Sequence, residues 1–418
     1  MSDSSKENLE DEFNSLIEEF SSRGVDLNIE RMTKVIRSMG NLCAEIPAIQ
    51  VVGTNGKGSI ATLIESALKS SGIKAGITTS PHLVNWEERI RVNGEMIESL
   101  ELISRLKGLR KLARKENLTP FEFLLAAAFD YFYSQKVDIM VLEVGLGGRL
   151  DATTAHPNRP IIALGSIGMD HHEFLGKTLE DIALEKIAVV TEGSFVVSAQ
   201  QEPMVKKIIE RKVKEKNAKL KWVKPLEESW KIGLPGKIQL KNAAVAKGAL
   251  EALTALGWDI NQKDIKEGFA RANWPGRLQS VYWRKCPLII DGAHNSQAME
   301  QLSEERKSWQ NQENGVTWIL AIQAKKEAPK MLRTLLSKND IAWILPIPNH
   351  LSWTKHQLEN ACPELSKQMK SADSVEECLK KLEGEWPNPP PVISGSLYLL
   401  GNLFSQNIIT TVNSKIFN

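Results

Sequence analysis

VVGTNGKGSIATLIE, Val51 to Glu65, is the stretch whose reading decides the fold. An apolar, β-branched lead-in (Ile49 to Val52) runs into a glycine-rich bend and a lysine, and a helical pattern continues from Ser59. That order of strand, tight turn and helix is how a chain presents backbone N–H groups to phosphate. The first amides of a helix have no intrahelical acceptors and sit at the positive end of its dipole. The usual phosphate-loop spacing, G-x-x-x-x-G-K-[ST], would require glycine at Val51 and a hydroxyl at Gly58, and neither is present. The physical parts are there in a different spacing.

Working outward from the loop, apolar runs alternate with helical patterns. IPAIQVVG, SIATLIESALKSSG and KAGITTS are followed by KVDIMVLEVG and RPIIALGSIG, an alternation that predicts βαβ units around a largely parallel sheet. Leu100 to Asn117 carries Leu102, Ile103, Leu106, Leu109 and Leu112 among lysines and arginines, the pattern of an amphipathic surface helix. A second alternating series, CPLIIDGAHN, GVTWILAIQ, DIAWILPIP and PPPVISGSLYLLG, follows Asn273-Trp-Pro-Gly-Arg277. Pro275 and Gly276 therefore mark the expected hinge between two α/β domains, 1–276 and 277–418.

A chain of 418 residues is long enough for two domains, each with its own core. Apolar residues at 42%, charged residues at 25% and a formal charge of +2 give no broad basic field, which argues against nucleic acid as a partner. The start, MSDSSKENLEDEF, lacks the cationic and apolar regions of a secretory signal, and no apolar run approaches the ~20 residues that span a bilayer. The expectation is a cytoplasmic, monomeric protein with small-molecule partners and no membrane contact. Cys43, Cys286, Cys362 and Cys378 are scattered without CxxC spacing and read as buried thiols.

Chemistry-bearing residues cluster at the ends of the apolar runs. Glu143 closes one strand just before the turn GLGGRLDATT, where a carboxylate would line the ligand crevice of a parallel sheet. A dinucleotide fingerprint fails there, because Leu150 stands where the third glycine belongs. Asp170, His171, His172 and Glu173 follow another strand without the HExxH spacing of a zinc site, and beside a nucleotide loop magnesium on oxygen ligands is the better match.

Taken in order, GTNGKGS, TSPHLVNWEERIRVNG, LTPFEFL, LEVGLGGRLDATT, DHHEFLG and DGAHN resemble the folylpolyglutamate synthase and dihydrofolate synthase family, relatives of the ligases that add amino acids to cell-wall precursors. The resemblance implies a P-loop ATPase-like N-terminal domain with a mostly parallel sheet and a smaller Rossmann-like α/β C-terminal domain. It implies an ADP-forming ligase that joins L-glutamate to dihydropteroate, to reduced folates or to both through an acyl phosphate, with the two domains closing over the reaction. Asn55, Gly56, Lys57, Gly58 and Ser59 then match the ATP loop, and Asn242, Arg277, Asp291 and His294 match further ATP contacts. Ser80, Glu143, His171 and Lys186 match ligands of two magnesium ions, with Lys186 carbamylated. Lys57, Glu143, His171, Lys186 and Arg277 match the catalytic set. Asp26, Leu27, Thr119, Pro120, Phe121, Glu122, Leu150, Asp151 and Ala152 match the folate site. Two departures are local: EKIAV stands for the usual EKAGI, and Ile238 for a histidine. A cell-wall amino-acid ligase and a non-catalytic nucleotide-binding module are the competing readings.

Overall fold

The computed structural model describes residues 3–21 and 24–411, so the outer limits of the expected domains, residues 1 and 418, lie outside the described residues. The chain divides into two compact units: one holds residues up to Gly233 and then Leu240–Ala272, the other Leu234–Gln239 and everything from Asn273. Thus a six-residue segment well upstream of Pro275 packs with the second unit.

The first unit is built on strands β1 (Ala48–Val52), β2 (Ala75–Thr78), β3 (Ile90–Val92), β4 (Glu95–Met96), β5 (Ile139–Glu143), β6 (Ile161–Leu164), β7 (Phe195–Ser198) and β8 (Lys219–Trp222). They form one sheet in the order β4-β3-β2-β5-β1-β6-β7-β8, parallel from β2 to β8. Its helices are α1 (Asp3–Glu18), α2 (Ile29–Ser38), α3 (Lys57–Ser70), α4 (Ser99–Lys115), α5 (Pro120–Ser134), α6 (His172–Leu175), α7 (Leu179–Ile187), α8 (Pro203–Glu215), α9 (Ile238–Ala255) and α10 (Gln262–Arg271), with the first two residues of α9 in the other unit. All five β1 residues are buried, as a strand covered on both faces requires. One apolar layer joins Phe13, Met32, Leu106, Phe123 and Phe129 over one face; another joins Val52, Val144, Ile182, Ile187 and Val205.

β1 lies between β5 and β6, with Val51 level with Glu143 and Val52 level with Leu164. The glycine loop, the end of β5 and the end of β6 therefore leave the sheet side by side, at the carboxyl edge where such sheets bind ligands.

The second unit has β9 (Gln279–Trp283), β10 (Cys286–Ile290), β11 (Thr317–Leu320), β12 (Ile341–Ile344), β13 (Met369–Ser371), β14 (Val392–Ser394) and β15 (Thr410–Thr411), ordered β13-β12-β11-β14-β10-β9-β15. The run from β13 to β10 is parallel, and β9 and β15 join antiparallel. Helices α11 (Ser296–Arg306), α12 (Ala328–Leu335), α13 (Lys355–Ala361), α14 (Val375–Leu382) and α15 (Leu397–Ser405) complete it, around Trp318, Leu332 and Met331.

The basic stripe of α4 is committed within the fold: Arg110 and Arg114 pair with Glu19, and Lys107 with Glu12, both on or next to α1. Cys43, Cys362 and Cys378 are buried and Cys286 is half-buried, all as free thiols. No described helix is long and apolar enough to cross a membrane.

Candidate active site

The loop after β1 is held by its own backbone. Thr54 N donates to Ser166 O, and Thr54 Oγ1 exchanges hydrogen bonds with Gly168 at 3.0 Å. Gly56 then turns with φ of 83°, a left-handed conformation that glycine adopts without steric cost, and a Cβ there would collide with the Asn242 side chain on α9. Gly56 is the N-cap of α3 and brings no side chain to cap it. Nearby helices are closed differently: Asn28 caps α2, Thr119 caps α5 and Thr178 caps α7. The start of α3 is thus without an N-cap side chain, as an anion site at a helix start requires.

Two lysines border this opening. Lys57 folds back so that Nζ donates to Thr54 O at 3.3 Å, and Lys186 Nζ, from α7, donates to Gly53 O at 2.9 Å. Lys186 is 5% exposed, so it is not the ordinary surface lysine its helix position suggests. Burial first, and then the Lys57 charge, push its pKa down from 10.5 to about 7, against the opposing pull of Asp170 and Asp151. The shift favours the neutral amine, the form able to add carbon dioxide.

At the end of β5, Glu143 is buried and its Oε2 accepts from Ser80 N at 3.0 Å, which joins two of the four expected metal ligands. His171 turns in a left-handed conformation after β6, 3.8 Å from Asp170 and 4.0 Å from Glu173. Its imidazole is the more solvated member of the set, with 37% of the side chain exposed. Among the described residues no three His, Cys, Asp or Glu side chains converge as a metal cluster. The four expected ligands bring one carboxylate, one hydroxyl, one imidazole and the Lys186 amine; only with an oxygen on Lys186 would the set favour a hard divalent cation that also binds phosphate.

The three expected acceptor segments meet at the turn after β5. Gly145 lies between the Phe121 ring and the Asp151 carboxylate: a Cβ there would stand 2.9 Å from Phe121 Cζ and 3.4 Å from Asp151 Oδ2. Asp151 itself is spent on shaping this turn, accepting from Gly145 N, Leu146 N, Thr153 N and Thr153 Oγ1, and burial pushes its pKa up. Gly148 packs its Cα on the carbonyls of Glu185 and Lys186, tying the turn to α7. Leu27 and Leu146 pack on the layer containing Val144 and Leu175. Glu122 is likewise internal, taking Thr119 N and Thr119 Oγ1 in a capping box and receiving Arg31 Nε on both oxygens at 3.0 Å. Phe123 is fully buried core, whereas Phe121 is half-buried beside the turn.

In the second unit, Asp291 follows β10 and is fully engaged, accepting from Leu278 N at 2.9 Å and Ala293 N at 2.8 Å. Burial pushes its pKa up, opposed by the Arg277 charge. Arg277 donates to Gly276 O, and its guanidinium lies against Gly292, leaving no room for a Cβ there. His294 Nδ1 contacts Gly292 O at 2.7 Å. Arg277, Asp291 and His294 therefore form one group.

Some site-shaping residues carry no sequence signal. Arg31 is one of three cations on α2, with Lys34 and Arg37, and no pattern sets it apart. Gln50, Arg159, Thr153 and Thr154 form a buried network beneath the turn, because Gln50 Nε2 donates to both threonines and Arg159 donates to Gln50, His156 O and Val189 O. Ser296 and Ser396 bring buried hydroxyls to the starts of α11 and α15 that have no hydrogen-bond partner among the described residues.

Residues 51–223 match the Mur ligase middle domain, and 276–406 match the dihydrofolate synthetase C-terminal domain. The chain is 30% identical to the dihydrofolate synthetase of Saccharomyces cerevisiae, covering 91% of this chain and 97% of that one. The chain belongs to the dihydrofolate synthase and folylpolyglutamate synthase family of ATP-dependent ligases. It is 32% identical to the dihydrofolate synthase/folylpolyglutamate synthase of Escherichia coli over 82% of this chain and 83% of that one. E. coli FolC in complex with DHPP and ADP superposes with a TM-score of 0.84 at 27% identity, covering 94% of this chain and 96% of that chain. A bifunctional synthase with Mn, AMPPNP and L-glutamate bound gives 0.81 at 26% identity, covering 92% and 95%. The two-unit α/β architecture is thus that of the family.

Proposed function

We propose that this ligase joins L-glutamate to dihydropteroate, and beside it to reduced folates. The observation that carries the reading is the start of α3, without a side-chain cap and bordered by Lys57 and Lys186, with α7 tied through Gly148 to the turn where Gly145 meets Phe121. The acceptor carboxylate attacks the γ-phosphorus of ATP, the bond to the β-phosphate oxygen breaks, and ADP leaves an acyl phosphate. The amine of glutamate then adds to the acyl carbon, loses a proton and expels phosphate to form the amide.

In this reading Asn55, Gly56, Gly58 and Ser59 supply the loop that holds the phosphates, Asn242 borders it, and Lys57 neutralises charge on the transferring group. Arg277, Asp291 and His294 form the second unit's nucleotide set; a planar guanidinium suits phosphate oxygens, with Asp291 holding the turn that aims it. Ser80, Glu143, His171 and Lys186 would hold magnesium at two sites, which supplies Lewis-acid polarisation and charge neutralisation at the phosphates. Carbon dioxide adding to the neutral Lys186 amine, with loss of a proton, gives that residue an anionic oxygen. Asp26, Leu27, Thr119, Pro120, Phe121, Glu122, Leu150, Asp151 and Ala152 frame the acceptor, Glu122 and Asp151 by fixing backbone and Phe121 and Leu27 by apolar contact. The working form is a cytoplasmic monomer.

Dihydropteroate labelled with heavy oxygen in its carboxylate tests both acceptor and route. The expected result is one labelled oxygen in inorganic phosphate per amide formed. Label in AMP would replace the acyl phosphate by an acyl adenylate, and extension of tetrahydrofolate alone would remove dihydropteroate as acceptor.

A further inference from the structure

Of the carboxylates in the acceptor segments, Asp151 and Glu122 are consumed inside the fold, while Asp26 keeps 47% of its side chain exposed. Arg31 joins the buried member to the exposed one. Its side chain, on the first turn of α2, is only 11% exposed, and its fork is divided: Nε serves both oxygens of Glu122, Nη1 donates to Asp26 Oδ2 at 2.8 Å, and Nη2 donates to the Asp26 carbonyl.

The division has a physical consequence. Glu122 is held by the α5 capping box and is 3% exposed, so it serves as an anchor for the guanidinium. Pairing a buried arginine needs only that one carboxylate. The two remaining nitrogens are instead directed to one residue of an exposed loop, gripping both its side chain and its backbone. Such a double grip removes conformational freedom from residues that would otherwise have to be ordered when a ligand binds. The neighbouring residue, Leu27, packs on the same apolar layer as Leu146, one position from the Gly145 that meets the Phe121 ring.

We infer that Arg31 is a positioning residue for the pteridine-bearing acceptor: it locks the Asp26–Leu27 loop to the buried cap of α5 so that the acceptor meets a preformed wall. This rests on the acceptor reading given above. Lysine cannot reproduce the role, because a single ammonium cannot serve Glu122, the Asp26 carboxylate and the Asp26 carbonyl in one plane.

The test uses the full-length protein with ATP, magnesium and glutamate saturating and dihydropteroate or tetrahydrofolate varied, for wild type, Asp26→Asn, Arg31→Lys and the double variant. Each single variant is expected to raise the KM for the acceptor about tenfold while the KM for ATP moves less than twofold. The double variant should be no worse than the more impaired single, since both weaken the one Arg31–Asp26 contact, Asp26→Asn at its charge and Arg31→Lys at its fork. Asp26→Asn alters an exposed group and keeps the thermal midpoint of wild type, so the inference stays testable even if Arg31→Lys fails to fold. An unchanged acceptor KM in Asp26→Asn, additive effects in the double variant, or parallel rises in both KM values would overturn it while leaving the ligase assignment intact. Wild-type protein that extends neither acceptor would overturn the acceptor reading and this inference together.

Discussion

Lys57 and Arg277 show how a single residue can matter to chemistry without mattering to the fold. Lys57 makes one long hydrogen bond to its own loop, and its removal leaves the β1 core untouched. Lys57→Ala is therefore expected to keep the thermal midpoint and lose turnover a hundredfold or more, on the order of 3 kcal/mol of transition-state stabilisation. Near-normal turnover would move the phosphate site elsewhere. Arg277 donates to the carbonyl of the preceding residue and its charge faces the buried Asp291, so Arg277→Ala should likewise impair turnover, with the thermal midpoint read alongside. Steady-state rates with varied ATP check this: unchanged ATP affinity and rate would remove Arg277 from the nucleotide set. Asp151 and Glu122 are the opposite case, carboxylates named by motif whose visible work is to shape backbone.

Among the elements, α7 and the turn after β5 depend on one another. Arg149 N donates to Glu185 O at 3.0 Å, and Gly148 leaves no space for a side chain between itself and the end of α7. A Cβ at Gly148 would stand 2.7 Å from Glu185 O and 2.8 Å from Lys186 O, so α7 must move away and carry Lys186 off Gly53. Gly148→Ala is expected to lower stability by about 1–3 kcal/mol, the usual cost of overpacking, and to depress turnover beyond that loss of folded protein. Denaturant midpoints and rates measured on the same preparation separate the two. A variant with full activity per folded molecule would show that the placement of α7 is irrelevant to catalysis.

For the molecule as a whole, acid stability is set partly by His156, a histidine just beyond LEVGLGGRLDATT that takes no part in the proposed chemistry. His156 is fully buried, donates Nε2–H to Ile46 O at 2.9 Å and has no partner for Nδ1 among the described residues. Burial, and secondarily the Arg159 charge, lower its pKa from 6.5 to about 4. Between those values the unfolded chain binds a proton that the folded chain refuses. The contribution is complete above about pH 6.5 and is lost as pH falls towards 4, by about 3 kcal/mol. Denaturant midpoints between pH 7 and 4.5 should fall with this slope, and His156→Gln, which retains a donor for Ile46 O, should flatten it. An unchanged slope would assign acid sensitivity to other groups.

The sequence by itself determined the strand–loop–helix at 51–65, the two βαβ series and the order of the family motifs, because these rest on short-range periodicity and on glycine chemistry confined to a few neighbouring residues. α4 appears where Leu102, Ile103 and Leu106 place it, and β5 ends at Glu143. Only the tertiary structure decided what those residues meet. That Lys186 is buried with its Nζ on Gly53 O, and that Arg31, 91 residues away in sequence, takes both oxygens of Glu122, is visible only in the fold. Leu234–Gln239 joins the second unit, with Lys237 N donating to Glu305 from 68 residues away. Burial and pairing across such separations depend on which sheet edge brings segments together, and local propensity holds no information about that.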